Sequence, residues 1–147
     1  MATAYSGEAP KHLWAVGILS LLWNAFGGYD YVMTETGNLA YFEMMGMGPA
    51  ELDFFASLPP WGVALWALGV WGSVAGSILL LMRSRHAATA FLLSLIGALA
   101  SFVYQFTLEK TASLETGLAV IMPIAILILI VAQWYYARRM AAAGVLR

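Results

Sequence analysis

One acidic side chain lies inside an otherwise apolar stretch of this sequence. Asp30 falls near the end of a hydrophobic run over 13–32, between Tyr29 and Tyr31. An ionisable group in a membrane span is costly, which makes Asp30 a candidate proton or cation site. Its position near the end of the run, beside two tyrosines, is equally typical of a hydrogen-bonded carboxylate at the membrane surface.

Amide and hydroxyl groups recur at helical spacing in the same run and in a later one. Asn24 lies deeper than Asp30, and Ser94 and Ser101 share one helical stripe, with Gln105 beside it. Such groups hydrogen-bond between packed membrane helices, for about 0.6 kcal/mol each. They predict helix packing or, alternatively, a narrow polar cavity for a neutral, hydroxyl-rich solute. The candidate intramembrane site is Asn24, Asp30, Ser94, Ser101 and Gln105.

The residue types that enzymes and metal sites need are scarce. The chain has no cysteine, and neither His12 nor His86 has a second His or a pair of carboxylates at helical spacing. No nucleophile and base pair or phosphate-binding loop is recognisable. The formal net charge of −1 gives no basic surface for nucleic acid. We therefore expect no enzyme, no metal, no cofactor and no nucleic-acid partner.

The composition indicates the environment that must position these residues. Of the 147 residues, 62% are hydrophobic and 10% are charged, whereas a soluble domain carries about 25% charged residues. Crossing the hydrocarbon layer takes about 20 apolar helical residues. The sequence therefore predicts an all-α integral membrane protein, a single membrane domain over 1–147 that forms an antiparallel four-helix transmembrane bundle. Its expected spans are 13–32, 61–82, 87–106 and 117–137.

The basic residues predict the orientation of these spans. Short loops that carry Lys and Arg stay on the cytoplasmic side of a membrane. Only Lys110 falls on the opposite side from the rest, so we expect a multi-pass membrane protein with both termini cytoplasmic. The basic residues on the predicted cytoplasmic side are Lys11, Arg83, Arg85, Arg138, Arg139 and Arg147.

The long connection over 33–60 is predicted to be an outer loop with a short amphipathic helix. Gly48-Pro49 is typical of a helix start, and Pro59-Pro60 of the end of that segment. The helix could lie on the outer leaflet or cap the bundle. It could also act as a ligand lid or offer a partner surface, formed by Phe54, Phe55 and Leu58.

Small residues in the second span predict close helix packing. Gly69, Gly72 and Gly76 lie on neighbouring faces of that span. Helices in lipid associate through such small residues because the backbones can then approach each other closely.

Several short motifs are spread from the first predicted span to the last residues. They are Leu22-Trp23-Asn24 with Gly27, Asp30-Tyr31-Val32-Met33-Thr34, Pro60-Trp61, Trp66-Ala67, Val70-Trp71-Gly72, Gly76-Ser77, Leu79-Leu80-Leu81-Met82-Arg83 and Gly144-Val145-Leu146-Arg147. With these motifs, nearly the whole chain resembles a family of small four-span bacterial inner-membrane proteins that are often labelled sugar transporters. Glu35 and His86 depart from the likeness, where Gln and Trp would be expected. The resemblance implies a place in the bacterial inner membrane.

The sequence leaves two functions open. Small-residue stripes, apolar helix faces and the lack of a catalytic constellation favour an auxiliary or packing subunit of a membrane assembly. The alternative, to which the resemblance points, is a transporter of a small neutral, sugar-like solute. Four helices leave little room inside one subunit, so such a transporter would be an oligomer. The expected partners are the lipid bilayer and either further copies of the chain or a larger membrane complex.

Overall fold

The computed structural model describes residues 7–108 and 117–147, and in these ranges every regular element is an α-helix. Lys110, the basic residue expected on the outer side, lies outside the described residues. The helices are α1 (Lys11–Glu35), α2 (Leu39–Met44), α3 (Pro49–Ala56), α4 (Pro60–Leu81), α5 (His86–Phe106) and α6 (Gly117–Ala142).

Three of the described helices are long and apolar enough to cross a membrane: α4, α5 and the stretch Ala119–Ala142 of α6. They match three of the four expected spans to within a few residues. The exception is the end of α6, which continues past 137 through two arginines to Ala142. Soon after it comes Gly144, whose φ of 75° is left-handed. Glycine adopts that conformation without steric cost.

The first expected span lies in α1, which is 25 residues long but is not among these three helices. Asn24, Asp30 and three glycines lower the mean hydropathy of α1. Length alone would let it span a bilayer, because 25 residues at about 1.5 Å each extend about 37 Å.

The helices pack side by side around α4. It lies along both α1 and α5, and α5 also packs along α6, whereas α1 and α6 contact each other little. An apolar cluster closes one end of the molecule, where the start of α1, the end of α4, the start of α5 and the end of α6 meet. Its fully or almost fully buried members are Leu13, Leu80, Ala87, Phe91, Ala137, Val145 and Leu146.

Helices α4 and α5 approach so closely that their backbones touch. A Cβ atom added at Gly69 would lie 2.9 Å from the backbone nitrogen of Ala98, and one added at Gly97 would lie 2.8 Å from that of Gly69. One at Gly72 would meet Ser94, and one at Gly76 the ring of Phe91. All three glycines of the α4 stripe therefore face α5.

The C-terminal residues pair with the tight turn between α4 and α5. The backbone N–H of Arg147 donates to the carbonyl of Arg83 at 2.7 Å, and its carbonyl accepts from Arg85 at 2.9 Å. The Arg83 side chain donates from Nε to the carbonyl of Val145 at 3.1 Å. Arg83 has a φ of 58°, a conformation that costs a non-glycine residue about 1–2 kcal/mol. We call this set of contacts the C-terminal clamp.

The glycine contact between α4 and α5 yields a stability prediction. Gly69→Ala should lower the midpoint of thermal unfolding in detergent, because the new methyl group meets the α5 backbone and overpacking costs about 1–3 kcal/mol. The control is Gly27→Ala in α1, where an added Cβ meets nothing within 4 Å. Since alanine is the better helix former, the control should leave stability unchanged or slightly raise it. Equal midpoints for the two variants would show that α4 and α5 do not need this close contact.

Candidate functional site

Asn24 joins three helices at the centre of the bundle. Its side-chain nitrogen Nδ2 donates to Ser77 Oγ at 2.9 Å, to the carbonyl oxygen of Ser73 at 3.2 Å and to Gln133 Oε1 at 3.3 Å. An amide NH2 group has two hydrogens, so at least one is shared between acceptors. Only 5% of Asn24 is exposed. The amide therefore links α1 to α4 and α6 in a buried polar network.

The polar side chains predicted on α5 also have partners within the protein. Ser94 Oγ donates to the carbonyl of Gly69 at 2.5 Å, across the α4–α5 contact. Gln105 donates from Nε2 to Ser101 Oγ at 3.0 Å, one turn away on the same helix. Ser94 and Ser101 are buried. The Ser94 hydroxyl therefore joins α5 to α4, whereas the hydrogen bond of Ser101 lies within α5.

Asp30 is held by a residue of the following segment. The Tyr41 hydroxyl, on α2, donates to Asp30 Oδ1 at 2.5 Å. Asn38 caps α2 by accepting from the backbone N–H of Tyr41 at 2.9 Å, and the Tyr41 ring packs edge-on against Tyr29. Burial, followed by the hydrogen bond to Asp30 and the charge of that carboxylate, raises the pKa of Tyr41. The phenol therefore stays neutral and keeps its proton as the donor.

Two adjoining pockets lie between the helices, with volumes of about 270 and 260 Å³. Asn24 and Ser101 line the first, Gln105 lines the second, and Ser94 lines neither. The structure thus brings four of the five candidate polar residues to one region, although most of its wall is apolar. The residues common to both pockets are Asp30, Trp66, Phe102, Met122 and Ile126.

The three residues predicted as a partner surface contact the chain itself. Phe55 packs against the rings of Phe42 and Trp66, and Phe54 packs edge-on against Phe55. Leu58 is 8% exposed. Phe54 and Phe55 also line the second pocket. Phe54 and Phe55 therefore belong to the wall of the site, whereas Leu58 lines neither pocket.

Two partners in the site were missed from the sequence. Gln133 is an amide in the apolar run of α6, and this is the same signal that singled out Asn24 in the first run. Tyr41 lies in the connection predicted as an outer loop, and no spacing rule connects it to Asp30. Within residues 7–108 and 117–147, no group of three or more His, Asp or Glu side chains could hold a metal ion.

The buried network around Asn24 predicts the effect of an apolar substitution. Asn24→Leu should lower the free energy of unfolding by about 1 kcal/mol or more, because its partners on α4 and α6 lose a buried donor. The measurement is denaturant or thermal unfolding in detergent. Ala25→Leu places the same side chain at an exposed neighbouring position and should be neutral. If Asn24→Leu were as stable as this control, Asn24 would not join the helices.

No protein-family model, curated protein or solved structure matches this chain. What the chain does is therefore inferred from its own contacts, distances and charges.

Proposed function

We propose that the chain crosses the bacterial inner membrane four times as an antiparallel four-helix bundle, with α1 as the first span. The outward face of α1 supports this proposal. Leu19, Leu22 and Phe26 are 66%, 64% and 55% exposed, while Asn24 on the opposite face is buried. Apolar residues outside and polar residues inside are typical of a helix in contact with lipid. In this arrangement α3 is the short helix of the outer loop.

The distribution of charge supports an orientation with both termini cytoplasmic. The C-terminal clamp and the apolar cluster at the start of α1 lie at the same end of the molecule. The basic residues near them therefore share one side, as the preference of Lys and Arg for the cytoplasmic side requires. Asp30 and Tyr41 lie towards the other end.

Cysteine labelling tests this topology, because the chain has no native cysteine. Ala50 on α3 and Ala143 after α6 are both exposed, so they form a matched pair. In intact spheroplasts, an impermeant maleimide should label Ala50→Cys and leave Ala143→Cys unlabelled until the cells are lysed. Labelling of Ala143→Cys alone in intact spheroplasts would contradict the proposed orientation and indicate the opposite one. Labelling of both sites would require an even number of spans between them, whereas the proposal has three, α4, α5 and α6.

We propose that the protein acts as an auxiliary or packing subunit of a larger membrane assembly. The observation that carries this proposal is the incomplete packing of α6. Only 11% of its apolar stretch is buried, against 28% for α4 and 33% for α5. Ile121, Ile124 and Ile128 lie on one face of α6 and are 60%, 51% and 63% exposed. This stiff, apolar face is suited to packing against a further membrane helix.

The pockets favour the second candidate, an oligomeric transporter of a small neutral, sugar-like solute. Asn24, Asp30 and Ser101 all reach the first pocket. A hydroxyl-rich solute, however, needs several free hydrogen-bonding groups around it. The Asn24 Nδ2 group already donates to Ser73, Ser77 and Gln133, and Ser101 already accepts from Gln105. The geometry therefore supports a packing role better than sugar transport.

Native mass spectrometry distinguishes the two functions. After extraction from native membranes in a mild detergent or polymer disc, an auxiliary subunit should be found in stoichiometric complex with larger membrane proteins. Charged substitutions on the exposed face of α6, such as Ile124→Lys, should release it, whereas Ile18→Lys on the exposed face of α1 should not. A particle of this chain alone, together with sugar uptake by proteoliposomes, would support the transporter instead.

A further inference from the structure

We propose that the pockets beside Asp30 bind a lipophilic organic cation, such as an ammonium group that carries an apolar body. The proposal concerns a ligand of this chain and does not depend on the packing role proposed above. It follows from three features of the site: a carboxylate with an unused oxygen, aromatic rings that line the same pockets, and a gap between two helices.

The Asp30 carboxylate lacks a cationic partner among the described residues. Tyr41 is its one hydrogen-bond partner there, and the bond is made to Oδ1. The second oxygen, Oδ2, has no partner in the described ranges, and it is not among their fully enclosed unpaired atoms. It is therefore accessible from the pockets that Asp30 lines. A carboxylate between membrane helices is stabilised by an opposite charge, and a cationic ligand would supply that charge.

Several aromatic rings line the same pockets as this carboxylate. Trp23, Phe26, Trp66 and Phe102 line the first pocket, and the last two also line the second. Aromatic faces attract organic cations, by about 2 kcal/mol or more where water is excluded. The Trp66 ring is fixed by Tyr31, with ring centroids 4.8 Å apart. A carboxylate with several preorganised rings is the chemistry that recognises a substituted ammonium group.

The same arrangement argues against an inorganic ion. Calcium takes six to eight oxygen ligands, and magnesium prefers six. Asp30 is the only carboxylate that lines either of these two pockets. The remaining wall consists mostly of apolar side chains. A ligand that satisfies this site must therefore bring a large apolar surface together with a single, weakly hydrated positive charge.

The gap between α1 and α6 offers such a ligand a path from the lipid. The described hydrogen bonds between these helices join Asn24 to Gln133 and His12 to Tyr136. On α1, the His12 bond is made in the first turn and the Asn24 bond near the middle of the helix. In the other half, towards Asp30, the helices enclose the first pocket, with Phe26 on one side and Met122 and Ile126 on the other.

The test uses the full chain in lipid nanodiscs and two probes of the same shape. Benzyltrimethylammonium carries the positive charge, and neopentylbenzene is its neutral carbon analogue. Equilibrium dialysis, with empty nanodiscs subtracted, should show saturable binding of the cation and at least about tenfold weaker binding of the neutral probe. Equal affinity for both probes, or no saturable binding of the cation, would overturn the proposal.

Variants then locate the site. Asp30→Asn keeps an oxygen that can accept from Tyr41, so the fold should persist while affinity for the cation falls by about tenfold or more. The control is Asp53→Asn, since Asp53 is exposed on α3 and lines neither of the two pockets; its affinity should equal that of the unmodified chain. Undiminished affinity in a folded Asp30→Asn protein would refute the assignment.

Trp66→Leu provides a second variant that keeps the carboxylate. It should weaken binding of the cation several-fold and change binding of the neutral probe much less, because the cation alone gains from the ring face. If Asp30→Asn fails to fold, as shown by its thermal unfolding, this comparison decides the question. Equal losses for the two probes would leave only an apolar pocket and would contradict the proposal.

Discussion

Inside a lipid layer two helices gain nothing by hiding apolar side chains, so their association depends on how closely their backbones can approach. In this protein that approach occurs between α4 and α5, where the space that a side chain at Gly69 or Gly97 would fill is taken by the neighbouring helix. Ser94 adds a hydrogen bond at the same level. The other two long helices are then added to this pair, α1 on α4 and α6 on α5.

Because α1 and α6 attach to different members of the pair, contact between them is limited and depends on polar groups. Asn24 reaches across to Gln133 at mid-height, and His12 shares a 2.6 Å hydrogen bond with Tyr136 near one end. The opposite half holds a pocket lined by Asp30. The pocket between α1 and α6 thus follows from the way these two helices pack on opposite members of the α4–α5 pair.

The sequence predicts those parts of this fold that follow from hydropathy and local spacing. The apolar runs locate the helices α4, α5 and α6, and the four-residue step between Ser101 and Gln105 corresponds to a hydrogen bond within one helix. The sequence could not show which polar groups meet between helices. Asn24 and Gln133 are 109 positions apart, and Tyr41 reaches Asp30 only because α2 folds back onto α1. Such contacts depend on how the helices rotate and tilt against one another, and residue periodicity does not determine this.

The C-terminal clamp can form only at the end of synthesis, because it joins residues that are far apart in the sequence. Arg83 binds the carbonyl of Val145, which is 62 positions further along the chain. A ribosome therefore delivers the turn between α4 and α5 well before the residues that pair with it. Until α6 and the residues after it have been made, the backbone groups of Arg83 and Arg85 lack their partner, Arg147. Leu13 and Leu80 likewise lack the apolar side chains of Ala137, Val145 and Leu146 that pack with them in the finished fold.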